Sequence, residues 1–581
     1  MNLKKFAAGL LFLSGTCLLV LTGCGPADSG EAPQTESAAP SVEIASTADI
    51  DELGMIEDKS VYVDDDPGSI VCFYVTVQRG DAGSDTDHSF DEVKNVVRFI
   101  NDSHVANDVY ARAIVQVGDE TGPLPGMLGY GVTESNARIR VRGNSSSVMA
   151  QKSYKLALDD EAGLWRGQSN IALNKSAFDV TRIKNKLYFD MLKDIPGISS
   201  IRTQFARLFI KDETSGQTQF EDYGFYTQAE VPTKKYLGNH GLDREGYLYK
   251  AISFNFEPSE ALKNFNDPAF DLEAFETVLS CKGRQDNEKL MELVELINDL
   301  SVDINEIVGT YIDRENYITW LAYNILTANI DTTVQNFYLY SPVNSRKWYF
   351  IPWDGDNMLH VEEDKLEGID ATYGNWEHGI SNYWGVILHQ RFLKVESNRK
   401  ELAEKVEELY KIITPDYVNS LVQEYNQVAE PYVTSMPDIY YLGHTVEERD
   451  QILAGLGDEI TVAYQQFQDS LTELMPFFLF GFSSGENEEQ ILTWDEAYDF
   501  ESADITYDVT VSARPDLSDP VISETGVSGT SLTLPADTLE EGTWYWTVAA
   551  HTDTGKSSMP MNKIQVNEIY YPGVDILEVT E

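Results

Sequence analysis

The 581-residue sequence predicts an α+β chain: a strand-rich first half, a helix-rich second half and a small all-β sandwich at the end. Short β-branched and aromatic runs recur up to Ala229. Apolar residues at three- and four-residue spacing then take over, as at Leu290, Leu293, Ile297 and Leu300. Beyond Gly485 short alternating segments return, separated by Gly, Pro, Asp and Ser.

The elements follow in chain order. Residues 1–23 place Lys4 and Lys5 before an apolar run, Phe6 to Leu21, that ends Leu21-Thr22-Gly23-Cys24. This is the pattern of a secretory signal peptide closed by a lipobox. Cys24 is the predicted lipidation site, and two acyl chains on it would hold an extracytoplasmic protein at a membrane of the cell surface or envelope. Residues 24–66 read as a flexible tether, since Gly25 to about Asp49 is rich in Ala, Ser, Pro, Glu and Thr.

The formal net charge is −52, and −54 once Lys4 and Lys5 leave with the signal. So acidic a chain is not expected to bind nucleic acid or an anionic membrane surface, both of which need clustered cations. A nucleotide site would require a local basic pocket. Of four cysteines, Cys72 and Cys281 remain after the signal and lipid sites; one disulfide and two free thiols fit equally well.

The main domain is expected over 67–482. Ser69–Thr76, Tyr110–Val117 and Ala137–Arg142 read as strands, and in the last of these Ile139 and Val141 alternate with Arg138, Arg140 and Arg142. Three arginines on one strand face suggest an anion site. A helix around Arg182–Leu192 and strands near Ala206–Ile210 and Tyr223–Ala229 follow, then helices, including Glu315–Thr327 and one through Leu402, Val406, Leu409 and Ile413. Residues 485–575 resemble a fibronectin type III sandwich.

The chemistry concentrates in Asn329-Ile330-Asp331-Thr332-Thr333-Val334-Gln335-Asn336 and Pro352-Trp353-Asp354-Gly355-Asp356. An aspartate, an asparagine five positions on, a hairpin and a second aspartate is the order in which protein kinases present their base and magnesium ligands. Phe337–Tyr340 and Trp348–Ile351 supply the hairpin. Its two ends are adjacent in space, which brings Asn336 and Asp354 together as hard oxygen ligands for Mg²⁺. Singly, each of these residue types more often caps a helix or starts a turn. Zinc and serine hydrolysis have no anchor: His-Glu-x-x-His, paired Cys-x-x-Cys and Gly-x-Ser-x-Gly are all missing from the sequence.

Arg142-Gly143-Asn144-Ser145-Ser146, Lys152-Ser153-Tyr154-Lys155, Gly224-Phe225-Tyr226 with Glu230, Gly246-Tyr247-Leu248-Tyr249-Lys250, Asp331 with Asn336, and Trp353-Asp354-Gly355-Asp356 together resemble the CotH family of spore-coat-type atypical protein kinases. The resemblance implies a divergent, two-lobed protein-kinase-like fold and transfer of phosphate from ATP, with Mg²⁺ or Mn²⁺, to a secreted or coat protein. It makes Asp331 the catalytic aspartate and Asn336 and Asp354 metal ligands, with Asp356 beside them as an additional ligand or support. For the nucleotide it offers Lys152 or Lys155, on opposite strand faces, with Arg142 and Asn144, which either contact phosphate or shape the turn, and Glu230 as a partner or metal-side carboxylate. No Gly-x-Gly-x-x-Gly loop is present, Asn329-Ile330 replaces the usual His-Arg before the aspartate, and Lys184 precedes Asn185 where arginine is expected.

Two functions remain in view. One is a lipid-anchored kinase acting on hydroxyl side chains of an extracytoplasmic protein. The other is a non-catalytic surface lipoprotein that uses a kinase-like domain and a β-sandwich for adhesion, an alternative favoured by the scarcity of ATP outside cells.

Overall fold

The structure is a computed structural model that describes residues 54–97, 99–100, 103–104, 108–367, 376–484, 489–536, 538–567 and 569–579. The expected signal peptide, Cys24 and the first part of the expected tether lie outside these residues. All that is described falls in one unit, Thr47–Glu581.

The first lobe is a closed β-barrel. Starting from Ile70–Gln78, neighbouring strands run Thr203–Asp212, Glu221–Glu230, Asn170–Asn174, Ser153–Leu158, Ala137–Arg142 and Ala111–Asp119, which pairs with Ile70–Gln78 again. All of these pairings are antiparallel except that of Ile70–Gln78 with Thr203–Asp212. The two-residue period of the sequence decides which side chains fill the barrel. Phe73, Val75 and Val77 point inward with Val115, Ile139, Val141, Tyr154, Leu156, Leu173 and Leu208, and Phe90 and Trp165 join this core. The alternate residues, including Arg140, Arg142 and Lys155, are left outside.

The second lobe pairs a four-stranded antiparallel sheet with helices. Its strands lie in the order Leu279–Cys281, Tyr247–Ala251, Phe337–Ser341, Tyr349–Pro352. Helix Arg314–Leu326 starts at Asp313, whose carboxylate accepts from the Asn316 amide, and eleven of its residues are buried. Trp320 stacks on Phe350 with ring centroids 4.5 Å apart. The Asn316 side chain accepts from the Phe350 amide at 2.6 Å and donates to the Phe350 carbonyl at 3.1 Å, fixing helix to hairpin. Helices Glu396–Ile412, Pro415–Val433 and Val446–Ser470 complete the lobe. The lobes meet where Phe205 and Phe225, on the barrel exterior, pack against Tyr425 and Tyr432.

Two expected boundaries move. The tether does not extend to residue 66: Met55 is buried in the core, Glu57 pairs with Lys59 and His240, and Asp65 pairs with Lys193. Met55, Glu57 and Asp65 find partners far along the chain, which local composition cannot show. The sandwich also begins before Gly485, because Leu479–Ser484 already pairs with Gln490–Trp494. With Ser531–Leu534 these form one sheet; Ile522–Val527, Ile505–Ser512, Gly542–Thr552, Ser557–Ser558 and Asp575–Val579 form the other, and Lys563–Val566 pairs with Ile569–Pro572 as a two-stranded ribbon of the same C-terminal module. Cys72 and Cys281 are both free thiols.

Candidate functional site

The acidic end of the site is built where the long helix stops. After Leu326 the chain turns through Ala328 at φ +47° and a single 3₁₀ turn, Ile330–Thr332, that carries Asp331. That turn is held from behind: Asn382 donates to the Ile330 carbonyl at 3.1 Å, and the Thr332 and Tyr383 hydroxyls lie 2.7 Å apart. Asn336 and Asp354 flank the hairpin as expected, with Phe337 opposite Pro352 and the Trp353 amide bonded to the Asn336 carbonyl at 3.1 Å. Both adopt φ +58°, a left-handed conformation that Asn and Asp tolerate better than most residues. Gly355 is required by packing, since a Cβ there would lie 2.1 Å from the Tyr188 ring.

Carboxylates converge here without compensation. Burial, then the charges of Asp354, Asp179 and Asp331, push the Asp356 carboxyl well above the ordinary carboxylate range. Burial and Asp354 likewise raise Asp331. Among the described residues no Lys or Arg forms an ion pair with Asp331, Asp354 or Asp356. Two amides complete the cluster. Asn185 donates to Asp354 Oδ1 at 3.3 Å, Asn329 donates to the Asp354 carbonyl at 3.2 Å, and the Oδ1 atom of each is buried without a partner.

The basic end lies on the outer face of the barrel. Arg140 pairs with Lys155 across neighbouring strands. Arg138 and Arg140 have partners, Asp85 and Asp108. Arg142 and Lys155 have neither a hydrogen bond nor an ion pair among the described residues. The Arg142 guanidinium stands 5.7 Å from the centre of the Trp353 ring, in the field of Asp354 and Asp356, and burial holds it below its ordinary value. Burial, with Arg140 and Lys282 nearby, lowers Lys155 to about 8. Lys250 stands 5.6 Å from the same tryptophan ring. Trp353 therefore joins the two ends, with cations on its ring and Asp354 next in the chain.

Other expected residues sit elsewhere. Lys152 donates to the Ser147 carbonyl at 2.5 Å and so closes the Gly143–Lys152 turn, whose 3₁₀ segment begins after Asn144. Glu230 is not brought to either lysine. It accepts from Arg202 Nε and Nη2 at 2.8 and 2.7 Å, from His240 Nε2 at 3.0 Å and from Asn239 at 3.1 Å. Burial alone would raise its carboxyl, but the bonds from Arg202 and His240 bring it down to about 2. Asp179, Asn185 and Asn329 were not marked as site residues by sequence. Asn329 adjoins the aspartate motif, but Asp179 and Asn185 reach Asp354 and Asp356 only through the tertiary fold.

Among the described residues no group of three His, Cys, Asp or Glu is arranged to hold a metal alone. The donor set nevertheless fits Mg²⁺, which binds through one or two protein oxygens and otherwise through water and phosphate. The uncompensated carboxylates and the two orphaned amide oxygens are the observations that support the fit. The arrangement can therefore place cations on a polyanion at one end and a divalent ion and an acceptor base at the other.

Comparison with known proteins agrees with the family resemblance. Residues 139–479 match the family described as CotH kinase protein. The chain is 24% identical over 363 residues to the inner spore coat protein H of Bacillus subtilis (strain 168), covering 61% of this chain and 92% of that protein. Solved structures give only weak overlap. The crystal structure of a Helicobacter pylori proinflammatory kinase, CtkA, aligns with a TM-score of 0.28 and 12% identity over 54% of this chain and 94% of that one. The HipA, HipB and operator DNA complex of Shewanella oneidensis MR-1 aligns at 0.24 and 11%, over 61% and 76%. The family match spans more than half of the sequence and contains Arg142, Lys155, Asp331, Asn336, Asp354 and Asp356, and on the ground of that span the chain belongs to the CotH kinase family.

Proposed function

We propose that this protein is an exported, lipid-anchored kinase that transfers the γ-phosphoryl group of ATP to a hydroxyl side chain of an extracytoplasmic protein. The observation that carries the reading is the juxtaposition, through Trp353, of the Arg142 guanidinium, which has no hydrogen bond or ion pair among the described residues, with carboxylates that no described Lys or Arg pairs. A structural role would pair such charges; a nucleotide site holds them ready for phosphate and metal.

Arg142 and Lys155 are assigned to the phosphates, Lys155 in preference to Lys152 because it stands in the cation cluster and carries no bond of its own. Asp331 orients the acceptor hydroxyl and takes its proton, which the raised affinity of its carboxyl for protons favours. Mg²⁺ or Mn²⁺ at Asn336 and Asp354, with Asp356 behind them, would neutralise the phosphate charge. Asn185 and Asn329 hold Asp354 from its side chain and its backbone. Export and anchoring through Cys24 rest on the lipobox.

The test is thermal stability with Mg-ATP, beside Asp354→Ala. Ligand at about a hundred times its Kd should add about 2.7 kcal/mol to the wild type. The increment should disappear in the variant. If ATP fails to stabilise the wild type at any metal concentration, the kinase reading falls and a surface-binding role takes its place.

A further inference from the structure

The C-terminal sandwich reaches the catalytic turn. The family match ends at residue 479, so Lys563 belongs to the part of the chain outside it. Lys563 nevertheless stands 3.2 Å from Glu377 Oε1, and its charge also acts on Asp331. Glu377 lies in the stretch 376–386, whose Asn382 and Tyr383 brace the Asp331 turn. One residue further, Trp384 packs against Tyr498 at 5.3 Å and Phe500 at 5.7 Å. A Cβ at Gly385 would lie 2.9 Å from Phe478 and 3.1 Å from Met561 Sδ, so the segment fits the sandwich with no space to spare. The Met561 amide in turn bonds to the Phe477 carbonyl at 2.7 Å. Sandwich, brace and catalytic turn are thus in continuous contact.

We infer that the sandwich is a working part of the catalytic unit, and that Lys563 is a positioning residue which, by holding Glu377, fixes the acceptor side of Asp331. Its side is set by its neighbours: Lys563 is paired with Glu377 and acts on Asp331, whereas Arg142 stands on the Trp353 ring in the field of Asp354 and Lys155 lies beside Arg140. An unpaired Glu377 would add a negative charge beside Asp331 and release the segment that supports it. The module is therefore more than an adhesive appendage. This inference rests on the kinase reading only for its catalytic consequence; the mechanical coupling stands apart from it.

The experiment uses the full chain in two arms. In the first, amide hydrogen exchange of residues 329–336 and 376–386 is compared between wild type and Lys563→Met. Exchange should quicken about tenfold in both segments while the barrel strands stay unchanged, and Lys563→Arg should restore protection; equal protection in all three proteins overturns the coupling. In the second, transfer from Mg-ATP to dephosphorylated casein is measured. Lys563→Met should change kcat or the acceptor KM about tenfold, leave the KM for ATP unchanged, and show no further loss when combined with Glu377→Gln. Unchanged acceptor kinetics, or a change in the ATP KM alone, overturns the positioning role. If the wild type transfers no phosphate, the kinase reading is what fails, and the exchange arm still decides whether Lys563 braces the turn.

Discussion

Two clusters of buried charge in this protein differ in one respect, whether their charges have partners. At the edge of the barrel, Glu230 is gripped by Arg202 and His240, and His240 is held on its other nitrogen by Glu57 at 2.6 Å, itself paired with Lys59. Each carboxylate there meets a cation within hydrogen-bonding distance. In the cleft, Asp331, Asp354 and Asp356 have no such cation among the described residues, and Arg142 and Lys155 have no carboxylate within hydrogen-bonding distance among them. Buried ions are costly unless paired, so the first cluster holds the lobe together while the second stands ready for charge supplied from outside. The same distinction separates Arg138 and Arg140, which are paired, from Arg142 two residues on.

The largest effect should come from breaking the cleft at its base. Asp331→Asn keeps the size and burial of the side chain but removes the proton acceptor, and should lower phosphoryl transfer by about 10²- to 10⁴-fold. ATP-dependent stabilisation should persist. A variant that loses both transfer and folding would show that the turn needs the carboxylate structurally, which would erase the contrast between the clusters.

Breaking the paired cluster should act on stability instead. Glu230→Ala leaves Arg202 and His240 buried without their shared partner, and should cost about 3–5 kcal/mol in chemical denaturation of the domain. ATP affinity, measured at a temperature where the variant is folded, should not change. The sign with pH follows from the lowered carboxyl: the contribution of Glu230 is present above about 4.5 and is lost as pH falls toward about 2. The acid limb of unfolding should therefore flatten in the variant. A specific fall in ATP affinity would return Glu230 to the nucleotide site that its motif suggested.

Why local pattern could bring the residues of one cluster near each other and not those of the other is a matter of distance along the chain. Asp331, Asn336 and Asp354 are joined by one helix end and one hairpin, and hairpin pairing fixes their proximity from local pattern alone. The strand alternation that set Arg138, Arg140 and Arg142 on one face was equally legible. Glu230 was not, because Arg202 and His240, with Glu57 beyond His240, come from separate segments that only the tertiary fold assembles. The choice between Lys152 and Lys155 also waited on closure, since which strand face is interior depends on the whole ring. The brace at 376–386 and its contact with Lys563 link residues nearly two hundred positions apart, and no local signal marks them.

The smallest expected effect bears most directly on the basic end. In the free protein Lys155 holds its proton only up to about 8, against an ordinary value of 10.5. Between these values the unfolded chain carries the proton at this residue and the folded one has released it, so Lys155 makes the free protein more stable as pH rises through this window. Phosphate binding requires the opposite state, the charged one. Affinity for ATP should therefore decline above about pH 8, by about tenfold over the window if Lys155 contributes about 1.4 kcal/mol. Lys175, buried against Asp438, also titrates near about 8, so the quantity to measure is the difference between wild type and Lys155→Met. The variant should bind ATP more weakly at pH 7 and lose the pH-dependent part. If Lys152→Met abolishes that part and Lys155→Met does not, the turn lysine carries the phosphate contact and the strand lysine is an unpaired surface cation.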